Sequence, residues 1–211
     1  VHTFLNDQLP PALADIEKLL NNNRIFRDRT ENIGSISKEE AIAWSLTGPM
    51  AQRRRYHSAT LLPNGRVMVA GGYGIGAFLP PNAESYDPAT GTWTLEAALA
   101  TPRERHTAIL LPSGFVLIAG GLNSSNDVAT AELYDPAAGY WTSAGPLLAS
   151  HNGHAATSLA NGEVLVAGGV DGNFLNIAER YDPSTATWVA TGALATPRAT
   201  YVSLMGALRS D

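Results

Sequence analysis

Cysteine is absent from this chain of 211 residues, and its absence excludes several kinds of chemistry. A chain without cysteine forms no disulfide, supplies no thiolate ligand to zinc or an iron–sulfur cluster, and has no cysteine nucleophile. Reducing and oxidising compartments both tolerate such a chain, so the missing cysteine does not indicate where the protein resides. An apolar run of about 20 residues is also missing, and no membrane span is predicted.

Positive charge is scarce as well. Lys and Arg number 14 against 19 Asp and Glu, which gives a formal net charge of -5. Nucleic-acid binding requires a basic surface that neutralises phosphates, so no nucleic-acid partner is predicted. Arg53, Arg54 and Arg55 form a short basic cluster, which we interpret as a solvated edge rather than a binding patch.

Common catalytic signatures are missing too. The sequence has no Gly-x-Ser-x-Gly nucleophile motif, no phosphate-binding loop and no His-Glu-x-x-His metal motif. We therefore predict no catalytic residue, no cofactor and no metal site, which favours a non-enzymatic protein.

Lysine and glycine are unevenly distributed along the chain. Both lysines, Lys18 and Lys38, precede residue 50, whereas eighteen of the 20 glycines follow it. This change in composition predicts two parts, a polar segment over residues 1–49 and a second part over residues 50–211.

The second part is an internal repeat. Three double glycines lie 49 and then 48 residues apart, and each ends a short apolar run that predicts a buried strand. A turn that ends in glycine connects each run to an earlier apolar strand, as in Pro63-Asn64-Gly65, so each pair of strands is predicted to form a hairpin. A Tyr-Asp-Pro segment and then a tryptophan follow in every repeat. One repeat therefore supplies four short strands, which is the content of a propeller blade.

The repeated residues are predicted to be structural. Large rings fill the space between blades, and paired glycines allow close backbone approach. Aspartate before proline is typical of turns. The repeat signature consists of Gly71, Gly72, Tyr86, Trp93, Gly120, Gly121, Tyr134, Trp141, Gly168, Gly169, Tyr181 and Trp188.

These motifs, kept in phase three times, resemble kelch repeats over residues 51–205. The resemblance implies a mainly β fold: an incomplete kelch-type β-propeller with three four-stranded blades (51–99, 100–147 and 148–194) and a partial fourth (195–205). A short two-helix segment, predicted from its own residues, precedes it. Kelch propellers commonly recognise a protein or a glycan, and here the variable loops 72–81, 121–130 and 169–177 are the expected binding elements. Propeller oxidases of similar pattern need a cysteine cross-linked to tyrosine, so that activity is excluded.

Three histidines occupy equivalent positions, His57, His106 and His154, each thirteen residues after a tryptophan. Equivalent positions approach a common axis in a propeller, so a shared metal ion is one hypothesis. Imidazoles on adjacent blades are usually too far apart to share an ion, and we favour structural roles. For His151, which breaks this phase, the sequence indicates no role.

The first part is predicted to be helical. Pro10-Pro11 opens one helix, and Ser37 caps a second with Glu40 as its capping-box partner. Residues 4–50 resemble an internal stretch of the quinone-site, hydrogenase-like D-type subunit of NADH-quinone oxidoreductase. The resemblance rests on Leu19-Leu20-Asn21-Asn22-Asn23-Arg24-Ile25-Phe26, Arg29-Thr30, Ile33-Gly34, Glu40-Ala41 and Trp44-Ser45-Leu46-Thr47-Gly48-Pro49-Met50. The quinone-site histidine and tyrosine of that family fall outside the matched stretch, so no quinone-binding residue is implied.

Two functions follow from the two resemblances. The first is a non-enzymatic kelch interaction module; the alternative is a fragment or fusion of the D-type subunit of NADH-quinone oxidoreductase.

Thr47-Gly48-Pro49-Met50 also fits the end of a kelch blade, like Ser143-Ala144-Gly145-Pro146-Leu147, which leads to the hypothesis of a chimera joined within residues 44–50. Propellers close with about 4 to 8 blades. Three blades leave open faces, so the chain is expected to form a homodimer or to aggregate.

Overall fold

The computed structural model describes residues 47–76, 78–124 and 126–200, which form three four-stranded antiparallel sheets. The first sheet holds β1 (Ser58–Leu61), β2 (Val67–Ala70), β3 (Asn82–Asp87) and β4 (Thr92–Ala98). The second holds β5 (Thr107–Leu110), β6 (Val116–Ala119), β7 (Thr130–Asp135) and β8 (Tyr140–Pro146). The third holds β9 (Ala155–Ser158), β10 (Val164–Ala167), β13 (Ala178–Asp182) and β14 (Thr187–Ala190). A small hairpin, β11 (Val170–Asp171) with β12 (Asn173–Phe174), lies between β10 and β13.

The prediction of a mainly β fold with four strands per repeat is confirmed, and the arrangement is compatible with a propeller. In every sheet the strands pair in chain order, and the first strand β5 contacts both β1 and β9. The two predicted helices lie outside the described residues, as do residues 201–205 of the predicted partial fourth blade. No helix within the described ranges is long and apolar enough to cross a membrane.

The core is formed by side chains of the second strands, which point alternately to the two faces of each sheet. In β6, Val116 and Ile118 point into a cluster shared with the first sheet, whereas Leu117 and Ala119 point into a cluster shared with the third. A continuous apolar run is therefore needed, because both faces of the middle sheet are buried. Both apolar clusters lie between sheets, so neighbouring repeats stabilise one another.

The double glycines lie where one repeat docks on the next. Gly72 N–H donates to the Arg103 carbonyl (2.8 Å), Gly121 N–H to that of His151 (2.6 Å), and Gly169 N–H to that of Arg198 (2.7 Å). All six glycines of these pairs have positive φ. A Cβ on the first glycine of each pair would overlap that same carbonyl oxygen, so the close approach requires glycine.

Each repeat tryptophan contacts the preceding repeat. The indole N–H of Trp188 donates to the carbonyl of Ala144 (3.1 Å), and that of Trp141 to the carbonyl of Ala97 (3.0 Å). Trp93 makes the same bond to Gly48 (2.8 Å), which precedes the first sheet. Residues 47–49 therefore occupy the place of a preceding fourth strand against the first sheet.

The linker that enters each sheet is held by a buried glutamate of the third strand. Backbone N–H groups of Ala51 and Gln52 donate to Glu84 (2.7 and 3.2 Å). A guanidinium completes the site, since Arg54 Nη2 lies 2.6 Å from Glu84 Oε1 with both side chains essentially inaccessible. The interpretation of the arginine cluster as a solvated edge is thus wrong for Arg54, because its charge neutralises a buried carboxylate.

The same arrangement recurs in the other sheets. Arg103 pairs with Glu132 at 2.7 Å and also donates to the carbonyls of Gly120 and Thr130. In the third sheet His151 takes the place of arginine: its Nε2 lies 3.0 Å from Glu179 and its Nδ1 lies 2.6 Å from the Gly168 carbonyl. His151 is therefore in phase with Arg54 and Arg103, not with the other three histidines.

Candidate functional site on the loop face

Each sheet has two ends that differ in what they present. One end, here called the loop face, carries the linkers before β1, β5 and β9 and the loops after β2, β6 and β10. The opposite end, the turn face, carries the tight turns within each sheet. The linkers and loops meet through matching bridges at Arg55 with Tyr73, Glu104 with Leu122, and Asn152 with Val170.

Side chains at these matched positions differ between repeats, although the backbone is the same. Arg55, Glu104 and Asn152 share one position, and Tyr56, Arg105 and Gly153 share the next. Buried positions, in contrast, keep the same residue type, since the glutamates, tyrosines and tryptophans recur in every sheet. The framework therefore does not dictate the residues on the loop face, which is where binding residues are expected.

Two residues in the linkers of the loop face have a strained backbone. Tyr56 and Arg105 have φ of 57° and 56°, a left-handed conformation that glycine adopts freely and that the third repeat fills with Gly153 (φ 61°). These residues are linked by backbone bonds, from Arg105 N–H to Tyr56 O and from Gly153 N–H to Arg105 O, both 3.0 Å. A bulky residue there costs about 1–2 kcal/mol, and such strain clusters at functional sites.

A groove of about 530 Å³ opens on the loop face of the first repeat. This volume is in the range of small-ligand sites. Its walls are formed by Arg53, Arg54, Arg55, Tyr73, Gly74, Ile75 and Gly76. Arg53 and Arg55 are exposed, whereas Arg54 is buried in its pair with Glu84.

Stacking holds two guanidinium groups over tyrosine rings at this groove. The Arg55 guanidinium lies 5.3 Å from the ring centre of Tyr56 and 5.0 Å from that of Tyr73. Arg105 lies 4.8 Å from the Tyr56 ring. At these distances each guanidinium attracts the tyrosine ring by a cation–π interaction.

A buried carboxylate lies beside these cations. Glu104 is 6% exposed, and its Oε1 is 4.0 Å from Arg105 Nε. Its Oε2 is buried and has no hydrogen-bond partner among the described residues. Burial raises the pKa of Glu104, and the nearby charges of Arg105 and Arg55 offset that rise only in part. Glu104 thus places one carboxylate beside the two cations Arg55 and Arg105.

Apolar side chains border the charged residues. Ile75 is 75% exposed and Phe78 is 50% exposed, both in the loop after β2. Exposure of large apolar side chains beside stacked cations is typical of interaction surfaces, where aromatic residues and arginine are enriched.

The predicted histidines are bonded to hydroxyl groups. His106 Nε2 lies 2.8 Å from Ser58 Oγ, and His154 Nε2 lies 2.7 Å from Thr107 Oγ1, each bond joining adjacent repeats. The first pair has the geometry of a nucleophile with its base, but burial lowers the pKa of His106 to about 3, far below that of a useful base at neutral pH. Among the described residues no group of three or more metal-ligating side chains occurs.

Mild acid is expected to destabilise the fold through these imidazoles. Burial, the largest cause for both, lowers the pKa of His106 and His154 from 6.5 to about 3. The unfolded chain therefore takes up protons first, so the stabilisation present above pH 6.5 declines as pH falls toward 3. At one pH unit below 6.5 the loss is about 1 kcal/mol for each histidine.

Urea unfolding near neutral pH and one unit below the ordinary histidine pKa measures this loss. The double variant His106→Gln, His154→Gln serves as the control, and its free energy of unfolding should change less over the same pH interval. Equal pH dependence of both proteins would contradict the assignment to these two side chains.

The repeat-signature residues lie around the site rather than in it. Tyr86 packs against Trp93, Tyr134 against Trp141 and Tyr181 against Trp188 as tilted ring pairs, with ring centres 5.2, 4.9 and 5.0 Å apart. Sequence reasoning identified the loop after β2 but did not identify Tyr56, Glu104 or Arg105. The signal that was available is their position in the repeat, since each lies one or two residues after the buried Arg54 or Arg103.

Comparisons with known proteins divide the chain. The family model described as "Respiratory-chain NADH dehydrogenase, 49 Kd subunit" matches residues 1–54, slightly beyond the Met50 boundary drawn from the sequence. The family model described as "Kelch motif" matches residues 152–191, in the third repeat. The similarity to both families is thereby confirmed, and the match to kelch covers one of the three structurally equivalent repeats.

Curated relatives match the N-terminal part. The H-type subunit of NAD(P)H-quinone oxidoreductase from Prochlorococcus marinus is 59% identical over 44 residues, which are 21% of this chain and 11% of that protein. The D-type subunit of NADH-quinone oxidoreductase from Rickettsia akari is 52% identical over 44 residues, again 21% of this chain and 11% of the relative. The chain thus spans about a tenth of the length of these relatives.

A solved structure matches the repeat part. The structure of YjhT aligns with a TM-score of 0.64 at 14% sequence identity, and the alignment covers 74% of this chain and 57% of that chain. At this identity the likeness concerns the fold alone.

Proposed function

We propose that this chain is a non-enzymatic interaction module that binds a protein or a glycan through its loop face. The observation that carries the proposal is the strained pair Tyr56 and Arg105, two large side chains kept at a position that the third repeat fills with glycine. The Tyr56 ring lies under the guanidinium groups of Arg105 and of Arg55, and Arg55 lines the groove. The match to the kelch motif supports an interaction role.

The alternative is a fragment or fusion of the D-type subunit of NADH-quinone oxidoreductase. It is supported by the match over residues 1–54 and by relatives that share 44 residues with this chain. Respiratory electron transfer and quinone binding by this chain would need residues outside that stretch, since it spans 11% of the relative. The interaction module is favoured because most of the described groove lies beyond the shared residues.

Binding to peptide and glycan arrays tests the proposed module. Ile75→Ser changes an exposed side chain of the loop face, and Leu95→Ser changes one of comparable exposure on β4 (75% and 58%). We expect the first variant to lose most of the array signal and the second to retain it, because only Ile75 lines the groove. Equal loss in both variants, or array binding by neither the variants nor the wild type, would contradict a loop-face module.

Self-association stays a prediction of the same architecture. Residues 47–49 contact the outer face of the first sheet at Trp93, where Gly48 accepts the indole N–H. A homodimer that joins the outer face of the first sheet to the outer face of the third would bury the parts of these two faces that are still exposed.

A further inference from the structure

We propose that the groove of the first repeat binds an acidic peptide segment, whose carboxylate pairs with the in-plane N–H groups of Arg55, and that Glu104 opposes this binding as an internal competitor. The inference rests on the proposed interaction module and specifies its ligand class. Arg55, Glu104, Arg105 and the two tyrosines form one cluster at the junction of the first two repeats.

Arg55 is prepared for a bidentate partner. Its guanidinium is held over two tyrosine rings, and among the described residues it donates no side-chain hydrogen bond. Its backbone is fixed as well, because Arg55 and Tyr73 exchange N–H to carbonyl bonds of 3.0 and 2.7 Å. A guanidinium already ordered by stacking loses little conformational entropy on binding, and its fork of N–H groups matches a carboxylate.

A peptide is favoured over an acidic sugar by the surroundings of the cations. Sugars bind to proteins largely by stacking on an uncovered aromatic face, but guanidinium groups already lie over the Tyr56 and Tyr73 rings. Exposed Ile75 and Phe78 instead offer contacts to an apolar side chain next to the acidic one. The occupant is therefore an extended segment that carries a carboxylate beside an apolar residue.

Glu104 sets the strength of this site. Its carboxylate is buried, lies 4.0 Å from Arg105 and interacts with the charge of Arg55. An incoming carboxylate meets repulsion from Glu104 while it is attracted by the arginines, so Glu104 weakens binding of anions. Replacement by glutamine keeps the shape of the side chain and removes the repulsion.

Selection from a random octapeptide library displayed on phage tests the proposal. Wild type is expected to enrich peptides with Asp or Glu next to an apolar residue, and Arg55→Ala is expected to abolish that enrichment. For a selected peptide, isothermal titration should show about 10–100-fold weaker binding to Arg55→Ala, as for a lost charged hydrogen bond. Glu104→Gln should bind the same peptide about threefold more tightly at low salt.

Several outcomes would overturn the proposal. Selection of peptides without acidic residues would remove the carboxylate site but leave the interaction module intact. Binding of polygalacturonate in place of any peptide would show an acidic-sugar site instead. Equal or weaker peptide binding by Glu104→Gln would refute the role of Glu104. Capture of neither peptides nor glycans would refute the module itself.

Discussion

Replacement of Arg103 with methionine is expected to lower the free energy of unfolding by about 3–5 kcal/mol, the usual loss when one partner of a buried ion pair is removed. Arg103 is fully buried and lies 2.7 Å from Glu132. Its guanidinium also satisfies the carbonyls of Gly120 and Thr130. Methionine fills similar space but removes the counterion of Glu132 and the guanidinium N–H groups that these carbonyls accept from. Urea unfolding followed by tryptophan fluorescence measures the change.

Arg198→Met is the matched control. Arg198 has the equivalent position after the third sheet, but it is exposed and its Nε donates only to Thr196 O among the described residues. Its replacement should change the free energy of unfolding by no more than about 0.5 kcal/mol. Adding Glu132→Gln to Arg103→Met should restore part of the loss, because the amide still accepts from the linker without a buried charge. Similar effects of Arg103→Met and Arg198→Met would contradict the buried pair.

Gly120→Ala is expected to be at least as damaging, with a loss of about 4 kcal/mol or more. Gly120 has φ of 63°, and its added Cβ would overlap the His151 carbonyl oxygen and lie 2.8 Å from the His154 ring. The His151 oxygen already accepts the Gly121 N–H across the repeat junction, so relief of the overlap separates the second and third sheets. Chemical unfolding, with limited proteolysis as a second measure of folding, detects the loss.

Gly139→Ala is the control that separates the cost of backbone strain from the cost of steric overlap. Gly139 has φ of 72°, but a Cβ there meets no atom within 4 Å. Its replacement therefore carries only the cost of the left-handed conformation, about 1 kcal/mol. If Gly120→Ala were no worse than Gly139→Ala, the close docking of repeats through the double glycines would be wrong.

The repeated architecture could be predicted from the sequence because its strongest determinants are local. Apolar runs that end in Gly-Gly, turns that end in glycine and Tyr-Asp-Pro segments each indicate a strand or turn by themselves, and their period joins them into sheets. The β strands at these positions follow the prediction closely, as in β2, β6 and β10.

The buried ion pairs could not be predicted in the same way. Arg54 is hidden in a run of three arginines, and its partner Glu84 is 30 residues away, so their contact depends on tertiary structure. The third repeat obscured the pattern further, because His151 replaces arginine at that position. Strain at Tyr56 and Arg105 is likewise a property of the folded backbone, which composition and spacing do not reveal.

The backbone bonds that join the linkers give the array a direction. Arg105 N–H donates to Tyr56 O, Gly153 N–H to Arg105 O, and Thr200 N–H to Gly153 O, so each of these three bonds has its donor in the later repeat. Copies added through junctions of this kind join head to tail, with two different surfaces meeting at each junction. Such heterologous contacts yield rings when their rotation closes and open filaments when it does not. The choice between a finite oligomer and a fibre is therefore decided by the angle between adjacent sheets.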